Sequence, residues 1–107
     1  MSVNLVVWKW SPAYDSAAKR RRLGVKYEDI MSAFAEAGAH PAMASHDFGA
    51  FERDVYARIG PNVVDGLYVL ERSECARVFN LSLRQGDELV PRIGELARAH
   101  GLTSAEL

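Results

Sequence analysis

Residues whose types could do chemistry are scattered along this chain, and their spacing decides what each could do. His40, His46 and Asp47 stand close together around a loop, and imidazole and carboxylate groups ligate zinc. Their spacing matches no compact ligand motif, so two loop histidines in water are expected, with no metal and no other cofactor. Cys75, the single cysteine, follows Glu74, whose negative charge disfavours a reactive thiolate; a small hydrophobe at a hairpin is expected instead. Ser73, Ser82 and Ser104 lie in no strained Gly-x-Ser-x-Gly turn. The carboxylate pairs Glu28 and Asp29, Glu52 and Asp54, and Asp87 and Glu88 could share acid–base work. Each nevertheless falls where a solvated helix start or face would put it. The glycines match neither nucleotide-binding fingerprint. No catalytic constellation emerges, and the chain is expected not to be an enzyme.

Binding chemistry is better represented. Lys19-Arg20-Arg21-Arg22 could grip phosphates, with Trp10 or Tyr14 stacking on bases, although a chain of net charge −1 argues against nucleic acid as the main partner. Trp8 and Trp10 fall on the same side of a strand, which suits core packing. If Trp10 and Tyr14 reach the surface they become interface anchors, because aromatic residues are enriched at binding hot spots. Residues 1–26 carry six basic groups against Asp15, or +5; residues 27–74 carry three against nine acids, or −6; residues 75–107 balance at four each. A chain so divided can present a charged face to a partner of opposite sign, or neutralise itself on folding.

At 107 residues, 49% hydrophobic and 25% charged, the composition is that of one soluble globular domain. No apolar run approaches the ~20 residues of a membrane span, and no export signal is apparent. A lone cysteine suits the reducing cytosol, so a cytoplasmic location is expected.

The elements that must position these residues follow from periodicity. Val3–Trp10 reads as a central strand with Val3, Leu5 and Val7 on one face and Val6, Trp8 and Trp10 on the other. Ser11-Pro12 breaks it, with Ser11 or Asp15 as a cap for a weak helix over Asp15–Leu23. Tyr27, Ile30, Phe34 and Ala37 mark a helix over Lys26–Ala37, and Ala39–Ser45 follows as a loop. Phe48, Phe51, Val55 and Ile59 mark another over Phe48–Ile59, capped by Asp47 and stopped by Gly60-Pro61. Strands over Leu67–Glu71 and Arg77–Leu83 form a hairpin, preceded by Asp65-Gly66 as a turn or bulge. A last helix runs from Asp87 to His100, with Pro91 in its first turn and Leu89, Ile93, Leu96, Ala97 and His100 on one face. The expected fold is α+β, ordered β-α-α-β-β-α, with helices packed on a three- or four-stranded sheet.

Leu5-Val6-Val7-Trp8-Lys9-Trp10 with Tyr14-Asp15, and Leu96-Ala97-Arg98-Ala99-His100-Gly101-Leu102, resemble small bacterial immunity proteins of contact-dependent or polymorphic toxin systems. Such relatives continue after His-Gly-Leu into a last strand, whereas Thr103–Leu107 is expected to form none. The resemblance implies a cytosolic protein that binds a cognate toxin C-terminal domain, in some systems a nuclease with a basic cleft. An acidic patch would fill such a cleft, and complementary charge speeds encounter. Asp47, Glu52 and Asp54 on the third helix, and Asp65, Glu71 and Glu74 along the hairpin, are then the candidate contacts, together with Trp10 and Tyr14. A homodimer or other interaction subunit, and RNA binding through residues 19–22, are the alternatives.

Overall fold

Alternating apolar residues on both faces place β1 (Ser2–Trp10) at the centre of the molecule, as expected of a strand covered on both sides. The structure, a computed structural model, describes residues 2–60, 68–72 and 74–107. Among these, α1 (Ala17–Leu23), α2 (Tyr27–Ala37), β2 (Met43–Ala44), α3 (Gly49–Arg58), β3 (Tyr68–Arg72), β4 (Ala76–Ser82), α4 (Leu83–Ala99) and β5 (Thr103–Glu106) follow β1 in order. Helices pack on an antiparallel sheet, which is an α+β fold.

One edge of β1 pairs with β4 from Ser2↔Ser82 to Trp8↔Ala76, and β4 in turn pairs with β3. The register shifts between Val69 and Glu71, which leaves Leu70 as a bulge residue. The other edge of β1 is shared, with β5 taking Leu5–Trp8 and β2 taking Lys9 and Trp10. The sheet therefore has five strands among the described residues, where three or four were expected. Two of them correct that expectation: Met43–Ala44 lies in the stretch read as a loop, and Thr103–Glu106 in the tail expected to form no strand. Asp65-Gly66, Pro61, Leu67 and Ser73 lie outside the described residues.

Two cores result, one on each face of the sheet. Leu5, Val7, Phe79 and Leu81 meet the α3 stripe of Phe48, Phe51, Val55 and Ile59 and the α4 residues Leu89, Ile93 and Ala97. Val6, Trp8, Ala76 and Val78 meet Ile30, Met31 and Phe34 of α2, with Ala42 and Met43. The α3 stripe is 1% exposed or less throughout, so its spacing was a true core signal. Tyr27 and Ala37, expected on the buried stripe of α2, are exposed instead, and Met31 is buried there.

Helix ends account for the remaining differences. Ser16 caps α1, its Oγ accepting the Lys19 N–H at 3.2 Å, while the expected caps do other work: Ser11 Oγ donates to the Pro41 carbonyl and Asp15 pairs with Lys19. Gly24 closes α1 at φ 66°, a left-handed conformation that favours glycine. Phe48, not the expected Asp47, is the N-cap residue of α3 and makes no side-chain cap bond; Asp47 sits one residue earlier, its Oδ1 accepting the Gly49 N–H at 2.9 Å in a local turn. The last helix begins at Leu83 rather than Asp87, because Ser82 and Gln85 form a reciprocal capping box. Leu83 is thereby helical, and Pro91 sits in the helix interior, where it leaves the Asp87 carbonyl without its usual N–H donor. Gly86 lets this helix approach β1, since a Cβ there would stand 3.1 Å from Val3 Cγ2. No helix among the described residues is long and apolar enough to cross a membrane.

Candidate functional site

The acidic residues of α3 are held by partners from distant elements and, for Asp54, also by Arg58 of the same helix. Glu52 forms an ion pair with Arg77 of β4, whose guanidinium also lies 4.6 Å from the Phe48 ring centroid and donates to the Ala76 carbonyl. Asp54 accepts from Arg58 Nε at 2.8 Å and sits 3.0 Å from His100 Nε2. The His100 hydrogen bond, with that of Arg58, holds the Asp54 carboxyl below its ordinary value. His100, half-buried, also meets the Phe51 ring edge-on, so it packs on the core as well as hydrogen-bonding Asp54. Asp47 and Glu74 are exposed, and the Glu74 carbonyl accepts the His46 N–H at 2.9 Å. Glu71 lies in β3 opposite Val78, and Asp65 lies outside the described residues. Of the candidate acids, Glu52 and Asp54 are thus joined by one helix but engaged with separate partners, Glu52 with Arg77 and Asp54 with Arg58 and His100.

The two loop histidines are half-buried rather than water-exposed. His40 Nδ1 accepts the Ala42 N–H at 2.9 Å and its ring meets Tyr14 edge-on. His46 packs edge-on against Phe48, and burial, reinforced by the Lys9 charge, pushes its pKa below the usual imidazole value. No group of three or more His, Cys, Asp or Glu side chains among the described residues could hold a metal ion. Cys75 is half-buried against the core between α2 and the sheet, in line with the small-hydrophobe expectation.

The other concentration of functional groups lies where β1 ends. Trp8 is fully buried, and its Nε1–H has no acceptor among the described residues. Trp10 is half-buried and touches Trp8 at 5.2 Å and Tyr27 at 5.7 Å between ring centroids, both edge-on. Arg20 lies 4.3 Å over the Trp10 ring while its Nη1 donates to the Tyr14 carbonyl at 2.6 Å. Cation–π contact and hydrogen bond together fix this guanidinium. Lys19 bonds to Asp15 and to the Pro12 carbonyl, both at 2.9 Å, and this pairing lowers the Asp15 pKa. Two hollows share Trp10 as a wall. One, of about 240 Å³, is lined by Val25, Ile30 and Tyr27 with Arg20, Arg21 and Lys26. The other, of about 370 Å³, is lined by Lys9, Asp15, Ser45 and His46.

The sequence singled out Trp10, Tyr14 and the basic run, and the structure brings them to this one end. It adds Lys26, which read as the start of the next helix, and Tyr27, which read as part of that helix's buried stripe. The signal that could have found them was short range: a strand ending on Trp10, one turn, then a cationic helix folded back on it. No protein-family model, curated protein sequence or solved structure matches the chain.

Proposed function

We propose that this chain is a non-catalytic binding protein, an immunity protein that occupies a cognate bacterial toxin domain in the cytosol. Its two segments resembling such proteins meet in one buried cluster, where Ala97 and Leu102 join Leu5 and Val7.

The observation that carries a binding role is the grouping of Trp10, Tyr27 and Arg20 at a partly exposed hollow. Tryptophan, tyrosine and arginine dominate interface energetics because they combine large contact area with directed polar groups. The test is co-expression with the C-terminal domain encoded by the neighbouring gene. Rescue of growth and recovery of a stoichiometric complex are expected. Continued toxicity with no complex would contradict the proposal.

A further inference from the structure

We infer that the end of the molecule formed by Trp10, α1 and the start of α2 is the docking face, and that it takes an acidic protein surface bearing a protruding apolar side chain. This rests on the binding-protein reading and names its partner's chemistry.

The helix α1 buries none of its residues. Seven residues are too few for a helix to persist unaided in water, so its contacts to the turn before it matter. Those contacts are the Ser16 cap and the bonds from Lys19 and Arg20, all polar, and they leave Leu23 57% and Tyr27 47% exposed. The hollow beside α1 has an apolar wall of Trp10, Val25 and Ile30 and cations at Arg20, Arg21 and Lys26. At about 240 Å³ it falls below the usual range of small-molecule pockets and suits a single side chain.

Charge selects the class of partner. Residues 9–29 carry Lys9, Lys19, Arg20, Arg21, Arg22 and Lys26 against Asp15, Glu28 and Asp29, a net +3. Arg20 is pre-organised by Trp10 and the Tyr14 carbonyl, so little side-chain freedom remains to be lost when its fork meets a carboxylate. Nucleic acid fits less well. Base stacking needs an open aromatic face, and Trp10 has Arg20 over its ring and Trp8 and Tyr27 against it. Tyr14 is likewise engaged with His40. The acids of α3 make a weaker docking face, because Arg77, Arg58 and His100 already hold them.

Fluorescence anisotropy with a labelled Asp-Glu-Leu-Glu-Asp peptide and with labelled oligothymidylate tests this. We expect the peptide to bind at low salt and weaken as salt rises. Arg20→Gln should lower its affinity about tenfold, the scale of one charge-assisted hydrogen bond. Arg21→Gln, an exposed position that does not endanger folding, should also weaken it. Arg84→Gln, exposed at the opposite end of the molecule, should leave it unchanged. Tighter binding of oligothymidylate than peptide, binding of neither, or Arg20→Gln and Arg21→Gln proteins that bind like the wild type would each overturn the inference. The neighbouring gene's domain separates the two levels of the argument. If it binds the Arg20→Gln/Arg21→Gln protein as tightly as the wild type, this face is wrong and the binding-protein reading stands. If it does not bind the wild type, that reading fails and the inference falls with it.

Discussion

Glu52 and Arg77 are only 18% and 15% exposed at their side chains, so their pairing is shielded from the solvent that weakens surface ion pairs. Removing the carboxylate takes this ion-pair partner away from a largely buried guanidinium. We expect Glu52→Ala to lower unfolding free energy in urea by about 1–3 kcal/mol, and an unchanged midpoint would contradict the role given to the pair. Asp54 makes a different statement, about pH. Its folded pKa is depressed, first by the His100 hydrogen bond, so its contribution is complete above the ordinary value of 3.8 and is lost as pH falls below it through the folded pKa. Wild-type melting temperature should fall more steeply across that window than that of Asp54→Asn; superimposable profiles would show that the bonds to His100 and Arg58 add nothing. Neither pairing was legible in the chain, where Glu52 and Asp54 read as a solvated helix face. Their partners stand 25 and 46 residues away, a separation that only the fold closes.

At the level of elements, the strongest periodic signals were the ones that survived. The α3 stripe and the two-faced alternation of β1 both report burial directly, because side-chain direction follows from helix and strand geometry. The start of α4 was obscured by alternation running through Leu83, although Ser82-Leu83-Arg84-Gln85 has the spacing of a capping box. Pro91 follows from that shift. Placed inside the helix, it should cost stability, and Pro91→Ala is expected to raise unfolding free energy by up to about 3 kcal/mol in the same urea assay. A loss instead would mean that the helix depends on the unfolded-state restriction proline provides. The strand β5 left no such trace, since Thr103-Ser104-Ala105-Glu106 lacks apolar alternation; the edge of β1 recruits it by backbone pairing. The Leu107 N–H bonds the Asn4 carbonyl, so by antiparallel alternation Ala105 is the hydrogen-bonding partner of Val6. Ala105→Pro removes that donor and should lower the melting temperature and uncover the β1 edge to self-association, both readable by calorimetry and gel filtration.

Across the whole molecule, the basic run of the sequence is brought to one end, while acids of the middle segment such as Glu36, Asp47 and Glu74 stay exposed. The basic N-terminal run gathers with Trp10 and Tyr27 at the end where β1 finishes, whereas Glu52 and Asp54, the acids of the middle segment on α3, are occupied within the fold. The α+β class and the strand that ends on Trp10 were legible in advance, but not which acids would be taken up within the fold. That depends on which ion pairs close in three dimensions. The central claim is that this end belongs to a partner-binding protein. Calorimetric titration of the purified protein with the domain encoded beside its gene tests it most directly. We expect a saturable one-to-one complex whose affinity falls with added salt, as charge-complementary interfaces do. No heat of binding, with separate elution of the two proteins on gel filtration, would contradict it.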